Sequence, residues 1–263
     1  VFILGFNTSK NLSTDTKTAS TFAYSFNVDG VLNEAGKMDE SSSPYWWLNS
    51  GGTMGIKENI GSTNIGEMSK ISKWRILYKI SNPLDTDDGY HPQNIFRLVS
   101  RDKWQNFSSQ GYFNILKDNL SNSSNRNSSN GLLLMLRYQD GDNLYYAGIR
   151  VDGSAVIKKK THGEYTTLAQ QKIFDGIYGR ETNPNLLPKE KWLGLRSEVA
   201  NENNSVRIKL FVDLNQTEEW EKILEVVDSN KTPGNEPIYN EGFLGIRTDF
   251  MDVQFKDFRV EKI

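Results

Sequence analysis

The sequence predicts an all-β protein built as a two-sheet antiparallel sandwich, and three observations carry that reading. Short runs rich in Val, Ile, Leu, Phe and Tyr recur along the chain, separated by clusters of Gly, Asn, Asp and Ser. Asp-Gly dipeptides, the composition tight hairpins prefer, sit between alternating runs at "DGD" (140–142) and "VDGS" (151–154). Apolar residues at helical spacing are scarce.

Taken in order, the chain opens on Val1 rather than Met, which reads as a processed or trimmed product, and "VFILGF" is too short to span a bilayer. "WRILYKI" (74–80) and "NIFRLVSR" (94–101) read as strands. "NLSNSSNRNSSNG" (119–131) is a long polar loop whose side chains make local turns, and not a domain linker, because similar strands continue on both sides. "GLLLMLRY", "NLYYAGIRV" and "SAVIKKK" form three consecutive antiparallel strands, with His162 in the hairpin loop that follows. "KWLGLRSEV", "SVRIKLFVD" and "DVQFKDFRV" complete the set. "TEEWEKILEVV" (217–227) spaces Trp220, Ile223, Leu224 and Val227 as a helix does, yet reads equally as a strand after an acidic turn. No internal repeat appears, so one domain over residues 1–263 is expected, with Phe96, Leu98, Ile149, Leu195, Ile208, Leu210 and Phe255 in its core.

Lys and Arg total 31 against 33 Asp and Glu, a formal net charge of −2. That balance argues against nucleic acid as a partner and leaves anionic ligands to a local patch. There are no cysteines and two histidines, which removes thiolate chemistry, disulfides and cysteine-ligated metals and leaves no serine–histidine–acid arrangement to argue. No glycine-rich phosphate loop and no membrane anchor are visible, so neither nucleotide chemistry nor a membrane partner is expected.

The closing segment "GFLGIRTDFMDVQFKDFRVEKI" resembles the last strands of the concanavalin A-like lectin and glucanase jelly rolls, where a glycine-led strand precedes a V-x-F-x-D-F-x-V strand. The rhythm of "YYAGIRVDG", "KWLGLRSEV" and "VRIKLFVD" is similar to the same superfamily over residues 90–263. The resemblance implies a jelly-roll sandwich. It does not choose among lectins, glucanases, polysaccharide lyases and laminin-G-like binding modules.

Period-two alternation sorts each strand into two faces. Arg97, Val99 and Arg101 oppose Phe96 and Leu98; Tyr146, Gly148, Arg150 and Asp152 oppose Tyr145, Ala147, Ile149 and Val151. Lys158 and Lys160 share a side, and Trp192, Gly194, Arg196 and Glu198 oppose Leu193, Leu195 and Val199. If these strands share a sheet, Arg97, Tyr146, Arg150 and Arg196 open onto one groove of cations and rings, suited to an anionic polysaccharide. The competing reading is a solvated face with local pairs such as Arg196 with Glu198. Gly148 and Gly194 either admit a ligand or relieve packing.

The E-x-D-x-x-E arrangement that resembles family 16 glucanases is missing from the sequence. Elimination at a uronate needs a group that neutralises the carboxylate, a base and an acid. "YHPQNIFRLVSR" and "YYAGIRV" loosely resemble the arginine-bearing strand and the Y-x-K-A-G-x-Y strand of alginate-lyase-like enzymes, with Val99 where an acid is expected and Arg150 where a tyrosine is. That resemblance implies His91 and Tyr146 as base and acid, and Gln93, Asn94, Arg97, Arg101, Tyr138, Arg150, Lys158, Lys160 and Arg196 as substrate-binding residues. His91 also reads as a turn residue before Pro92, and Tyr138 stands as a substitute for Tyr146. No cofactor is expected; oxygen-rich "DGDN" and "TDFMD" admit a structural calcium ion or serve as turn formers. The resulting expectation is an extracellular or cell-surface polysaccharide lyase, with a non-catalytic lectin-like module as the alternative.

Overall fold

The structure, a computed structural model, describes residues 16–18 and 20–263. The first strands are β1 (Thr16–Lys17), β2 (Thr21–Tyr24), β3 (Gly30–Asn33), β4 (Trp46–Ser50), β5 (Thr53–Lys57) and β6 (Ile60–Thr63). After helix α1 (Lys73–Ser81) come β7 (Ile95–Trp104), β8 (Phe107–Asp118), β9 (Gly131–Asp140), β10 (Asn143–Arg150), β11 (Ser154–Thr161) and β12 (Glu164–Lys172). The chain closes with β13 (Trp192–Glu202), β14 (Ser205–Asp213), β15 (Glu221–Asp228), β16 (Gly242–Asp249) and β17 (Met251–Lys262).

Two antiparallel sheets result. One has ten strands in the order β15-β14-β13-β8-β17-β6-β5-β3, with β2 on β17 and β1 on β2; the other has seven, β12-β11-β10-β9-β16-β7-β4. Alternation supplies the core: Phe96, Leu98, Leu134, Tyr145, Ala147 and Ile149 from the seven-stranded sheet meet Phe113, Leu195, Ile208, Leu210, Phe255 and Phe258 from the ten-stranded one. All seven residues expected in the core are buried. Among the described residues no helix is long and apolar enough to cross a membrane.

The meander β9-β10-β11 follows from its Asp-Gly turns, and the next hairpin turns through His162 and Gly163, both at positive φ (49° and 86°). One element differs from expectation, and one left open between helix and strand is a strand. "WRILYKI" is helical: Ser72 caps it by accepting the Trp74 N–H, while Tyr78 turns inward and donates to Glu34 at 2.6 Å. "TEEWEKILEVV" ends in the edge strand β15, where Glu221 and Glu225 face water and Leu224 faces the core.

One buried ion pair ties the two sheets together. Lys159 follows Ile157 on the inner side of β11, and its Nζ reaches Asp228 at the end of β15 at 2.9 Å, with both side chains about 1% exposed. The Tyr145 hydroxyl donates to the same Asp228 oxygen at 2.7 Å, and the Asn235 carbonyl accepts from Lys159 at 2.7 Å. Removing one partner strands the other charge in apolar surroundings. Asp228→Ala should therefore lower unfolding stability by about 3–5 kcal/mol in urea titrations, while the Lys159→Met, Asp228→Leu double variant should recover most of it.

Candidate functional site

The outer face of the seven-stranded sheet has an apolar floor of its own. Val99, Leu133, Met135, Tyr138, Leu144, Tyr146 and Val156 form a second buried cluster there, flanked by Met38, Trp47 and Phe243. The cross-strand register aligns Val99, Gly245, Met135, Tyr146 and Lys158 in one row across β7, β16, β9, β10 and β11. Charged side chains resting on this floor are partly stripped of water, so the partner each one has is informative.

At one end of the face lies a cleft of about 460 Å³ lined by Arg150, Lys158, Tyr165, Arg247 and Asp249 from the sheet, and by Asn125, Asn127 and Ser129 from the polar loop. The loop forms a fixed wall. Arg126, 5% exposed, donates to the Ser121 and Arg180 carbonyls and pairs with Glu181 at 2.8 Å, while Asp85 accepts from Ser123 and Asn125.

Arg247 organises the floor of the cleft. Its Nε donates to Asp249 at 2.9 Å and its Nη1 donates to the hydroxyls of Tyr146 (3.0 Å) and Tyr165 (3.1 Å). Burial works against its charge, but Asp249 and the two tyrosines push its pKa well above the ordinary guanidinium value. The Tyr146 and Tyr165 rings stack at 6.2 Å, and the Lys158 ammonium sits over both, 5.6 and 5.1 Å from their centroids. Arg150 pairs with Asp152 at 2.9 Å and donates to Ser128 and Gln170; Lys160 pairs with Asp142 at 2.9 Å.

Lys158 and Arg97 differ from these. Both are half-buried on this face, and neither has a hydrogen-bond acceptor or ion-pair partner among the described residues. Arg97 extends from β7 across β16 and β9, its Nη1 lying 3.7 Å from where a Cβ on Gly141 would stand. Its charge opposes the upward push that burial gives the Tyr138 hydroxyl.

The structure thus brings Arg97, Tyr138, Tyr146, Arg150, Lys158 and Lys160 onto one face, as the alternation implies. Arg196 does not join them: it lies on β13 of the ten-stranded sheet, paired with Glu198 at 2.9 Å. Gln93 and Asn94 are fully buried, where Gln93 donates to Asp252 and Asn94 to the Asp85 carbonyl, so neither is available to a substrate. His91 precedes a short 3-10 turn and its Nδ1 meets Asp87 at 2.9 Å; Arg101 donates to the Ser43 carbonyl, anchoring a loop.

The Tyr146 hydroxyl, which the resemblance makes the acid, is pushed up to about 12 by burial, with Arg247 opposing. A Cβ on Gly148 would stand 2.1 Å from the Leu132 carbonyl, and one on Gly194 2.9 Å from Trp220 and Tyr112. Packing, not ligand approach, requires both glycines. The acids of "DGDN" and "TDFMD" face protein donors: Asp142 meets Lys160, Asp249 meets Arg247, and Asp252 accepts from Gln93, Asn119 and Gly66. No group of three or more His, Cys, Asp or Glu placed to hold a metal ion occurs among the described residues.

Sequence reasoning missed Arg247, Tyr165 and Asp249. Arg247 and Asp249 stand within the quoted closing segment, and alternation against Leu244 and Ile246 places Arg247 outward. Nothing local marks Tyr165 as the lid over Lys158.

No protein-family model matches this sequence, and no curated protein does. Among solved structures, the chain is similar to the winged bean acidic lectin, with a TM-score of 0.51 at 8% identity over 91% of this chain and 96% of that one. A lichenase from a mouse hindgut metagenome gives 0.47 at 11% identity, over 92% and 99%. The carbohydrate binding module CBM66 from Bacillus subtilis gives 0.44 at 16%, over 64% and 82%. Together with the sheet order, the lectin match defines the class: a concanavalin A-like jelly-roll sandwich.

Burial pulls the Lys158 ammonium down to about 8; Asp249 opposes this, and Arg247 and Arg150 add to it. The unfolded chain holds this proton up to the ordinary lysine value of 10.5. Between those two values the unfolded state binds more protons, so stability should rise with pH across that window. The cost of the buried charge is fully present below about 8 and gone above 10.5. Urea titrations at stepped pH should show this rise in the parent and a flatter profile in Lys158→Met.

Proposed function

We propose that this protein binds an acidic, uronate-bearing polysaccharide across the outer face of its seven-stranded sheet. The observation that carries the reading is the pair of half-buried cations, Lys158 and Arg97, left without acceptors on a face where Arg150, Lys160 and Arg247 are paired. A carboxylate supplies the missing acceptor, and the Tyr165 ring beside Lys158 offers a stacking surface to a sugar. The amide-rich loop wall, with Asn125 and Asn127, suits hydroxyl groups. The lectin of similar fold was solved with methyl-α-D-galactose, which accords with a sugar as the ligand class. A polysaccharide ligand implies an extracellular or cell-surface setting.

Binding without cleavage fits the geometry better than β-elimination. Tyr146 is 2% exposed with its hydroxyl held by Arg247, and His91 is committed to Asp87. Elimination has one observation in its favour: an amine with a pKa near 8 at Lys158 is within reach of a base role near neutral pH.

Affinity electrophoresis in gels cast with alginate, pectate or glucuronan should retard the protein. Lys158→Ala and Arg97→Ala should each weaken binding by about 1.5–3 kcal/mol, roughly ten- to a hundredfold, and added salt should weaken it further. The same mixtures should develop no ultraviolet absorbance from an unsaturated uronate. Absorbance that grows with time and vanishes in Lys158→Ala would establish elimination instead.

A further inference from the structure

Helix α1 is apolar on two opposite sides. Trp74 and Tyr78 face the body of the protein, where Trp74 Nε1 donates to Asn33 at 3.0 Å and Tyr78 donates to Glu34. Lys73, Ile76, Leu77 and Ile80 recur at i, i+3, i+4 and i+7 and form the opposite stripe. Ile76 and Leu77 are about half exposed and Ile80 is 77% exposed, with Ile71 (90%) before the helix and Leu84 (60%) after it. Leu120 adds to the patch, since its neighbour Ser121 donates to the Leu84 carbonyl. A patch of this kind on a folded protein marks an interaction surface.

Charge identifies the occupant. Residues 65–84 carry Lys70, Lys73, Arg75 and Lys79 against Glu67, within a chain whose net charge is −2; of the acids that follow, Asp85 is buried, Asp87 is paired with His91 and Asp88 is exposed. Lys73 lies at the N-terminal end of the apolar stripe, its ammonium 4.7 Å from the centroid of the neighbouring Trp74 ring. Protein–protein interface cores are depleted in lysine, because its ammonium must be desolvated. At a lipid surface the same side chain lays its stem along the acyl boundary and keeps its ammonium among the headgroups.

We propose that the outer stripe of α1, with Ile71 and Leu84, docks on an anionic lipid surface as an interfacial helix. This contact is peripheral. It departs from the expectation of no membrane partner, which rested on the lack of a spanning segment.

The test is flotation of the full chain with vesicles of phosphatidylcholine and phosphatidylglycerol in equal parts, beside vesicles of phosphatidylcholine alone. The protein should float with the anionic vesicles and not with the neutral ones, and salt should release it. Ile76→Glu with Ile80→Glu should lower the bound fraction about tenfold or more. Both side chains are exposed, so circular dichroism and polyuronate binding should be unchanged in that variant. Lys70→Glu with Lys73→Glu should weaken binding while leaving the apolar stripe in place. Failure to float with the anionic vesicles, or equal flotation of the parent and the isoleucine variant, would overturn the proposal. So would concentration-dependent dimerisation of the parent, lost in that variant, without vesicle binding; the stripe would then be a self-association surface.

Discussion

Everything at the candidate site depends on one constraint: a charge resting on an apolar floor loses hydration and has to recover it from a partner. The outer face of the seven-stranded sheet is such a floor, because Val99, Leu133, Met135, Leu144 and Val156 are buried on the side that faces away from the sandwich core. Arg247 recovers its hydration from Asp249 and two tyrosine hydroxyls, Arg150 from Asp152 and the loop carbonyl of Ser128, and Lys160 from Asp142 and the Gly141 carbonyl. Against that pattern, Arg97 and Lys158 stand out as half-buried cations with no hydrogen-bond acceptor or ion-pair partner among the described residues, Lys158 resting instead on the Tyr146 and Tyr165 rings.

The same constraint cross-links the strands of the site: Arg247 on β16 reaches Tyr146 on β10 and Tyr165 on β12, spanning β9 and β11. On the other side of that sheet, Lys159 uses a buried carboxylate to bind it to β15 of the ten-stranded sheet. Adjacent lysines on one strand therefore serve different ends. Lys159 locks the sandwich, and Lys158 is presented to the cleft.

Much of the fold was legible because its signals are local. Asp-Gly turns at 140–142 and 151–154 set the β9-β10-β11 meander, and alternation sorts the sandwich-facing side chains of β7, β10 and β13 from those on the outer side, though it does not reveal that much of the outer side of β7 and β10 is buried too. The segment of helix α1 reads as a strand in sequence because its exposed stripe is as apolar as its buried one, which erases the contrast on which helical periodicity depends. Alternation groups Arg196 with Arg97 because it assigns a face within a strand and carries no information on which sheet the strand joins. Gln93 and Asn94 look like ligand-binding amides in sequence. Only the folded positions of Asp252, distant in sequence, and of the Asp85 carbonyl show them to be internal hydrogen bonders.

The account turns on whether acceptors are supplied to Arg97 and Lys158 by an acidic sugar. The most direct measurement is a backbone and arginine side-chain NMR titration with an oligouronate, run beside its carboxyl-reduced neutral counterpart. The account predicts that the acidic ligand alone perturbs the Arg97 Nε signal, the β10, β11 and β12 amides and the wall at 125–129, and leaves Trp192 and Arg196 on the opposite sheet unmoved. Equal perturbation by the neutral sugar, or shifts confined to the ten-stranded sheet, would contradict it.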